Sequence, residues 1–364
     1  MHSSGLRAPS RAGCVQRQQR LQPVKVRPAR PAAPRASSSS TAAAVDKQQP
    51  DWTGDKLMSQ LVNFLINTPP IWEVMKYFAK RAMKGTAAKK GVDWDAYTRG
   101  LLAAEPELEA LRARFSTPGF PYPDYYLKPF HTYPTGNLEW LAAAEVRPAS
   151  TVIACRTFKE MEDAAAAEAR LRRGITATMK ADLQRRGLPP PSNILDAGCS
   201  TGISTRWLAD AFPDAALTGL DASPYMLAVA ELEQRRDPLP TGRPIAFEHG
   251  LAEATRYADA SWDMVAYQFI AHECPQSALR AFASEAARIL RPGGVVVFVD
   301  NNPRSETIQN LPPALFALMK STEPWSDEYY SFDLEAALRE AGFEDVYTAE
   351  ADHRHRAVFG GKPK

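Results

Sequence analysis

No stretch of this chain approaches the ~18 apolar residues of a membrane-spanning helix. The densest apolar run is 295–299, Val-Val-Val-Phe-Val, so a transmembrane reading is excluded and only peripheral membrane contact stays open. Cysteine is scarce, with four residues: Cys14, Cys155, Cys199 and Cys274. None sits in a CxxC pair or a Cys/His cluster of zinc spacing, which excludes a disulfide scaffold and structural zinc. No metal is expected. Acidic residues are absent from 1–45, and 1–50 carry nine Lys/Arg against Asp46 alone. The remainder holds 35 basic and 41 acidic residues. A mildly acidic body has no general attraction for a phosphate backbone, so nucleic acid is not an expected partner.

The chain has 364 residues, 45% of them hydrophobic and 24% charged, which is enough for a sizeable core. Residues 1–45 are rich in Arg, Ser, Ala and Pro, with the run Ser37-Ser-Ser-Ser40 and no apolar core. This is the composition of a disordered organelle transit peptide, read here as chloroplast with mitochondrion as the alternative. A basic tail that stays attached is the plainer reading. Residues 46–145 form a helical extension with a substrate-covering loop, and 146–364 the main domain.

Apolar residues at helical spacing predict a helix over 55–67, through Leu57, Leu61, Phe64 and Leu65, ended by Pro69-Pro70. Further helices are expected over 71–83 and over 93–115, the latter single or paired and broken near Pro106. Residues 118–140 then forbid regular structure with Pro and Gly while concentrating polar-tipped aromatics. Tyr126, His131, Asn137 and Trp140 are the candidate substrate-binding residues there, since such side chains suit a pocket wall. The alternative is a loop that simply packs on the next domain.

After a helix over 161–186 and the break at 187–192, Asn193-Ile-Leu-Asp-Ala-Gly-Cys-Ser-Thr-Gly-Ile-Ser-Thr205 reads as a strand entering a glycine loop, with a helix then starting over 207–212. Gly198 and Gly202 permit a tight turn and close ligand approach. A second strand, 217–221, ends at Asp221, whose carboxylate can accept two ribose hydroxyls. Asp196 at the first strand's end would repel a pyrophosphate.

These residues resemble class I S-adenosylmethionine-dependent methyltransferases. Leu195-Asp-Ala-Gly-Cys-Ser-Thr-Gly202 is similar to their first motif. Gly250-Leu-Ala-Glu-Ala-Thr-Arg-Tyr-Ala-Asp-Ala-Ser-Trp-Asp263 and Leu290-Arg-Pro-Gly-Gly294 resemble the ubiquinone/menaquinone-methyltransferase-like branch. The stretches 122–140 and 303–330 are similar to uncharacterised plastid and cyanobacterial members. The resemblance implies an α/β, Rossmann-like, seven-stranded, mostly parallel sheet with an antiparallel C-terminal hairpin, plus the N-terminal helical and aromatic-loop extension. It implies S-adenosyl-L-methionine as cofactor. Asp196, Gly198, Cys199 and Gly202 should line its methionine end, Asp221 the ribose, and Ala222 and Ala252 the adenine. The family commonly has Asp after Gly250, where this chain has Leu251.

The fourth strand should run into Tyr267-Gln-Phe-Ile-Ala-His-Glu-Cys-Pro275, which faces the substrate in the family. His272 is the candidate base, with Glu273 as its orienter or replacement, and Gln268 contacts cofactor or substrate. The competing reading makes His272 and Glu273 the local start of a helix. Asp263 is expected to be structural, and His353 and His355 solvated. The expected reaction is methyl transfer to the O or C of a small hydrophobic or aromatic plastid metabolite such as a quinol, phenol or prenyl-lipid precursor. The alternatives are a protein or RNA methyltransferase, or a non-catalytic cofactor-binding assembly factor. The oligomeric state is not legible.

Overall fold

In the computed structural model, residues 50, 52, 53, 60 and 69–364 are described. The transit segment 1–45 lies outside the described residues, as does the helix expected over 55–67 apart from residue 60. The described residues belong to one unit, Asp46–Lys364.

Five helices precede the sheet. They are α1 (Pro69–Lys89), α2 (Trp94–Leu102), α3 (Glu105–Phe115), α4 (Trp140–Thr157) and α5 (Ala164–Arg185). Pro69-Pro70 open α1, two residues before the helix expected over 71–83. Proline is accommodated in a first turn, where its missing N–H has no intrahelical partner. The 93–115 segment is a pair of helices. Asp93 caps α2 by accepting the Ala96 N–H at 2.9 Å, and Pro106 lies in the first turn of α3. Leu101, Leu108, Leu111 and Ala142–Ala144 then pack as one apolar cluster.

The sheet strands are β1 (Asn193–Ala197), β2 (Ala216–Asp221), β3 (Ala246–His249), β4 (Trp262–Gln268), β5 (Leu290–Asn301), β6 (Glu344–Glu350) and β7 (His355–Gly361). Their spatial order is β3-β2-β1-β4-β5-β7-β6. β1 to β5 pair in parallel, and β7 runs antiparallel between β5 and β6. This is the sheet the sequence implied. Its central strands are apolar on both faces, as helix-covered parallel strands must be. Leu195, Val265, Tyr267, Val296 and Phe298 enter one core, while Ile194, Met264, Ala266, Val295 and Val297 enter the other. The alternation follows the strand period of two.

The helix after the glycine loop, α6 (Ile203–Ala211), starts four residues before the expected 207. Gly202, at φ 74°, turns the chain directly into it. Next come α7 (Pro224–Arg236) and α8 (Gln276–Ile289), then α9 (Glu306–Gln309), α10 (Pro313–Thr322) and α11 (Ser326–Ser331), and finally α12 (Leu334–Glu340) before the hairpin. Trp52 anchors the N-terminal part onto the 306–331 region. Its indole stacks on Phe316 at 5.4 Å, meets Tyr330 edge-on at 4.8 Å and donates to the Ile308 carbonyl at 3.2 Å.

Asp263 is structural, as expected: it accepts the Ser192 N–H at 2.6 Å and pairs with Arg291 at 2.8 Å. His353 is exposed. His355 is not solvated, contrary to the sequence expectation. It is 1% exposed, since antiparallel β7 is an interior strand rather than an edge. Its Nδ1 meets the Asp352 carboxylate at 2.8 Å.

The order β2-β1-β4 reverses winding direction between β1 and β4. In open α/β sheets, ligands settle at the carboxyl ends of strands beside such a reversal. Asp196 and Gly198, Asp221, and the residues after β4 all converge there.

Candidate active site

Asp196, the penultimate residue of β1, is fully buried. Its carboxylate accepts from Thr205 Oγ1 at 2.6 Å and Gln268 Nε2 at 3.1 Å. Burial pushes its pKa up to about 6, against those two hydrogen bonds and the nearby Arg172 charge. Arg172 is itself buried and donates to Ser150 and Ser204, each at 2.7 Å.

The chain then coils through Gly198 (φ 77°), Ser200 (φ 52°) and Gly202 (φ 74°). These three left-handed residues turn the loop back on β2. The Gly198 and Cys199 N–H groups both donate to the Leu220 carbonyl, at 2.7 and 3.0 Å. A Cβ on Gly198 would lie 2.2 Å from Ile270 Cδ1, so this glycine is required by contact as well as by φ. Cys199 points its thiol toward the core, where Sγ lies 2.9 Å from the Cβ position of Gly219. Only its backbone can line a ligand site. Thr201 Oγ1, in the same loop, is buried with no hydrogen-bond partner among the described residues.

Asp221 ends β2. Its two oxygens accept the Ser200 and Ser223 N–H groups, each at 2.8 Å. Burial again pushes the pKa up to about 6, the backbone donors opposing it and the charges of Glu273 and Asp196 adding to it. Ala222 follows, and its carbonyl accepts from His249 Nε2 at 2.9 Å. A carbonyl can only accept, so His249 carries its proton on Nε2, and Nδ1, 3.1 Å away, accepts from Thr117 Oγ1. Phe120 covers the His249 ring at 3.9 Å. His249 was not singled out in the sequence; an isolated histidine at a strand end carries no local signal. Leu251, which replaces the family's acidic residue, pairs its backbone with Ala254, and Ala252 between them is buried.

The aromatic loop sits over these strand ends. Tyr122 and Tyr126 stack 5.8 Å apart. Burial, with the Asp221 charge beside it, pushes the Tyr122 phenol up to about 12. Tyr126 is also raised well above its ordinary value, by burial first and by the nearby charges of Asp221 and Glu273. Asn137 links the loop to both sides. Its carbonyl accepts from Ser223 Oγ at 2.6 Å, and its Nδ2 donates to Glu273 at 3.0 Å.

Phe269 leaves β4 at φ 58°, a strained conformation for an aromatic residue. The bend swings Ile270 over Gly198 and starts a 3₁₀ turn, Ala271–Glu273. His272 is buried in that turn. Its Nδ1 lies 2.9 Å from Asp300 on β5, and its own N–H donates to the same carboxylate at 3.1 Å. Burial disfavours the imidazolium, but the Asp300 charge and hydrogen bond outweigh it and push the pKa up to about 10. Asp300 is correspondingly held below its usual range despite burial. Glu273 is raised by burial, against His131, His272 and the Asn137 amide. Asp300, like His249, escaped sequence reading.

His131, at φ 47°, donates its N–H to Thr322 O at 2.8 Å. Its ring lies 6.2 Å from that of His272. The site therefore gathers Tyr126, His131 and Asn137 around His272 and Glu273. Trp140 is not brought there: its Nε1 donates to Glu109 at 2.7 Å, and its ring packs edge-on against Tyr225. As the first residue of α4 it follows that helix into the outer helical layer.

The residues present fit S-adenosylmethionine. Two buried carboxylates, on β1 and at the end of β2, supply acceptors of the kind its amino-acid ammonium and ribose diol need, and Thr201 Oγ1 has no hydrogen-bond partner among the described residues. Residues 194–294 match a family described as a methyltransferase domain. An uncharacterised methyltransferase of Synechocystis sp. is 31% identical over 162 residues, covering 44% of this chain and 71% of its own length. The demethylmenaquinone methyltransferase of Tropheryma whipplei is 28% identical over 197 residues, covering 48% and 77%. Among solved structures, the S-adenosylmethionine-dependent methyltransferase SibL in its apo form is 18% identical, with a TM-score of 0.46, over 81% of this chain and 78% of that one. With the sheet order and the strand-end carboxylates in place, the chain belongs to the class I S-adenosylmethionine-dependent methyltransferases.

Proposed function

We propose that this enzyme transfers the methyl group of S-adenosylmethionine to the O or C of a small hydrophobic or aromatic plastid metabolite, of the quinol, phenol or prenyl-lipid precursor type. The observation that carries the reading is the meeting of Tyr126, His131 and Asn137 with the His272–Glu273 turn at the end of β4. One wall is aromatic and the other titratable, which suits an apolar acceptor with one ionisable hydroxyl or acidic C–H. The demethylmenaquinone relative adds weight to a quinol.

The cofactor supplies an activated methyl on a sulfonium, so the protein's work is alignment and proton removal. Asp196 orients the amino-acid end and Asp221 accepts the ribose hydroxyls. Ala222 and Ala252 flank the adenine, and Phe120 and Tyr122 keep water from that end. His272 is aimed by Asp300 through Nδ1, and the imidazolium which that pair favours must first release its Nε2 proton before Nε2 can take the acceptor's, so turnover through His272 should rise with pH toward its pKa of about 10. Glu273, steadied by Asn137, stands beside it. The buried first motif and Asp221 favour turnover over a non-catalytic assembly role. Candidate plastid quinols and phenols, incubated with methyl-labelled cofactor, should yield a labelled product. Cofactor binding without label transfer to any small acceptor would move the reading to an assembly factor. Import is tested by fusing residues 1–50 to a fluorescent reporter, which should enter plastids; a cytosolic signal refutes it.

A further inference from the structure

Three residues from distant parts of the chain meet at the acceptor end of the site. His131 comes from the aromatic loop, His272 from the turn after β4, and Glu323 from the residue that ends α10. One ring nitrogen from each histidine and one carboxylate oxygen lie within 4.8 Å of one another. We propose that His131, His272 and Glu323 form a binding site for a divalent first-row transition metal ion, of the zinc, iron(II) or cobalt(II) type.

Four features support it. The Nδ1 of His272 is held by Asp300, which leaves Nε2 as the nitrogen whose proton an ion would displace. Histidine ligands of metals characteristically have the second nitrogen fixed by a carboxylate in this way. Glu323 places Oε1 3.6 Å from His131 Nε2, while its Oε2 is buried with no hydrogen-bond partner among the described residues. A carboxylate oxygen buried without a donor is costly, and a cation removes that cost. Charge agrees: Asp300, 2.9 Å from His272, and Glu323, 3.6 Å from His131, bring carboxyl groups to both imidazoles. Finally, the loop is built to deliver His131. The residue is held at φ 47°, with its N–H tied to Thr322, the neighbour of Glu323.

Two imidazoles and one carboxylate select borderline transition metals, whereas magnesium and calcium prefer oxygen alone. Donor atoms about 2.0–2.2 Å from an ion stand closer together than 4.8 Å, so the three side chains close slightly on binding. The remaining coordination positions face the acceptor end, where the ion would take an acceptor oxygen as a Lewis acid. With the ion bound, His272 is a ligand, and the proton-accepting role given to it above belongs to the metal-free enzyme. The inference rests on the cluster and not on which acceptor is methylated.

The test is a titration of chelator-treated full-length protein, without cofactor or acceptor, with cobalt(II) followed by visible absorption and with zinc(II) by calorimetry. One saturable equivalent is expected. His131→Ala and Glu323→Gln, each checked for folding by circular dichroism, should weaken binding roughly tenfold or more. His353→Ala, an exposed histidine outside the cluster, should leave it unchanged. Absence of a saturable equivalent in folded wild type overturns the proposal, and so does binding that both cluster variants retain. Because the readout is metal binding alone, methyl transfer that persists while binding fails removes the metal site and leaves the proposed function standing.

Discussion

Replacing Asp221 with asparagine separates its two roles, since the carboxylate both pins the glycine loop and faces the expected ribose. In the cofactor-free protein the charge is costly. Its pKa stands at about 6 rather than 3.8, because burial outweighs the Ser200 and Ser223 amides. At 1.36 kcal/mol per pH unit, that gap is on the order of 3 kcal/mol against the folded state at neutral pH. The sign is opposite to the usual carboxylate case. The native state holds its proton up to about pH 6 and the unfolded chain loses it near 4, so stability falls as pH rises through that window. Asparagine removes the charge, yet accepts from only one of the two backbone amides, and stranding the other costs about 1–3 kcal/mol. The two effects nearly cancel, so the melting temperature of the cofactor-free variant should match or exceed wild type. Cofactor binding should not survive equally. A charge-assisted hydrogen-bond acceptor contributes about 1.5–3 kcal/mol, which is roughly 10- to 150-fold in Kd. Calorimetric titration of S-adenosylmethionine at pH 7.5 reads this directly. Wild-type affinity should also fall as pH drops below 6, where Asp221 and Asp196 both take up protons. A Kd within twofold of wild type refutes the ribose assignment. A Kd lost together with several degrees of melting temperature would make Asp221 a clamp for the Ser200 loop and nothing more.

Three further outcomes are expected. His272→Ala should lower turnover at least tenfold, the contribution of a positioned proton acceptor, with cofactor Kd unchanged; wild-type turnover removes His272 from the chemistry. Gly198→Ala combines φ 77° with a 2.2 Å approach to Ile270, and thermal denaturation should show a loss of about 1–3 kcal/mol that Ile270→Ala relieves only in part. Trp52→Ala empties the space between Phe316 and Tyr330 and should cost about 3–5 kcal/mol in denaturant unfolding; a loss under 1 kcal/mol would show that the N-terminal anchor is dispensable.

What could be read from the sequence was what is local. The apolar strand entering Gly198 and Gly202, the strand ending at Asp221 and the β-rich hairpin after Gly342 each carry their structure within about a dozen residues. Local φ preference, strand period and turn chemistry act over that span. Those signals, with the family resemblance, were sufficient for the sheet and for the strand-end carboxylates. Even there, local reading misplaced edges: the helix expected over 71–83 runs from Pro69 to Lys89, and α6 begins at Ile203.

What the sequence did not contain was the company each side chain keeps. His131, His272 and Glu323 span nearly two hundred residues and meet only because the loop, the β4 turn and α10 pack together. Asp300 lies on β5, 28 residues from the histidine it holds, and is its partner only because parallel β4 and β5 end side by side. Trp140 looked like its aromatic neighbours but turned outward with α4, and His355 looked like a surface residue but entered the sheet between β5 and β6. Backbone preference is decided residue by residue, so the sequence alone determined the strands and the glycine loop. Burial, proton affinity and side-chain partnership depend on which segments pack against one another, and only the tertiary structure decided those.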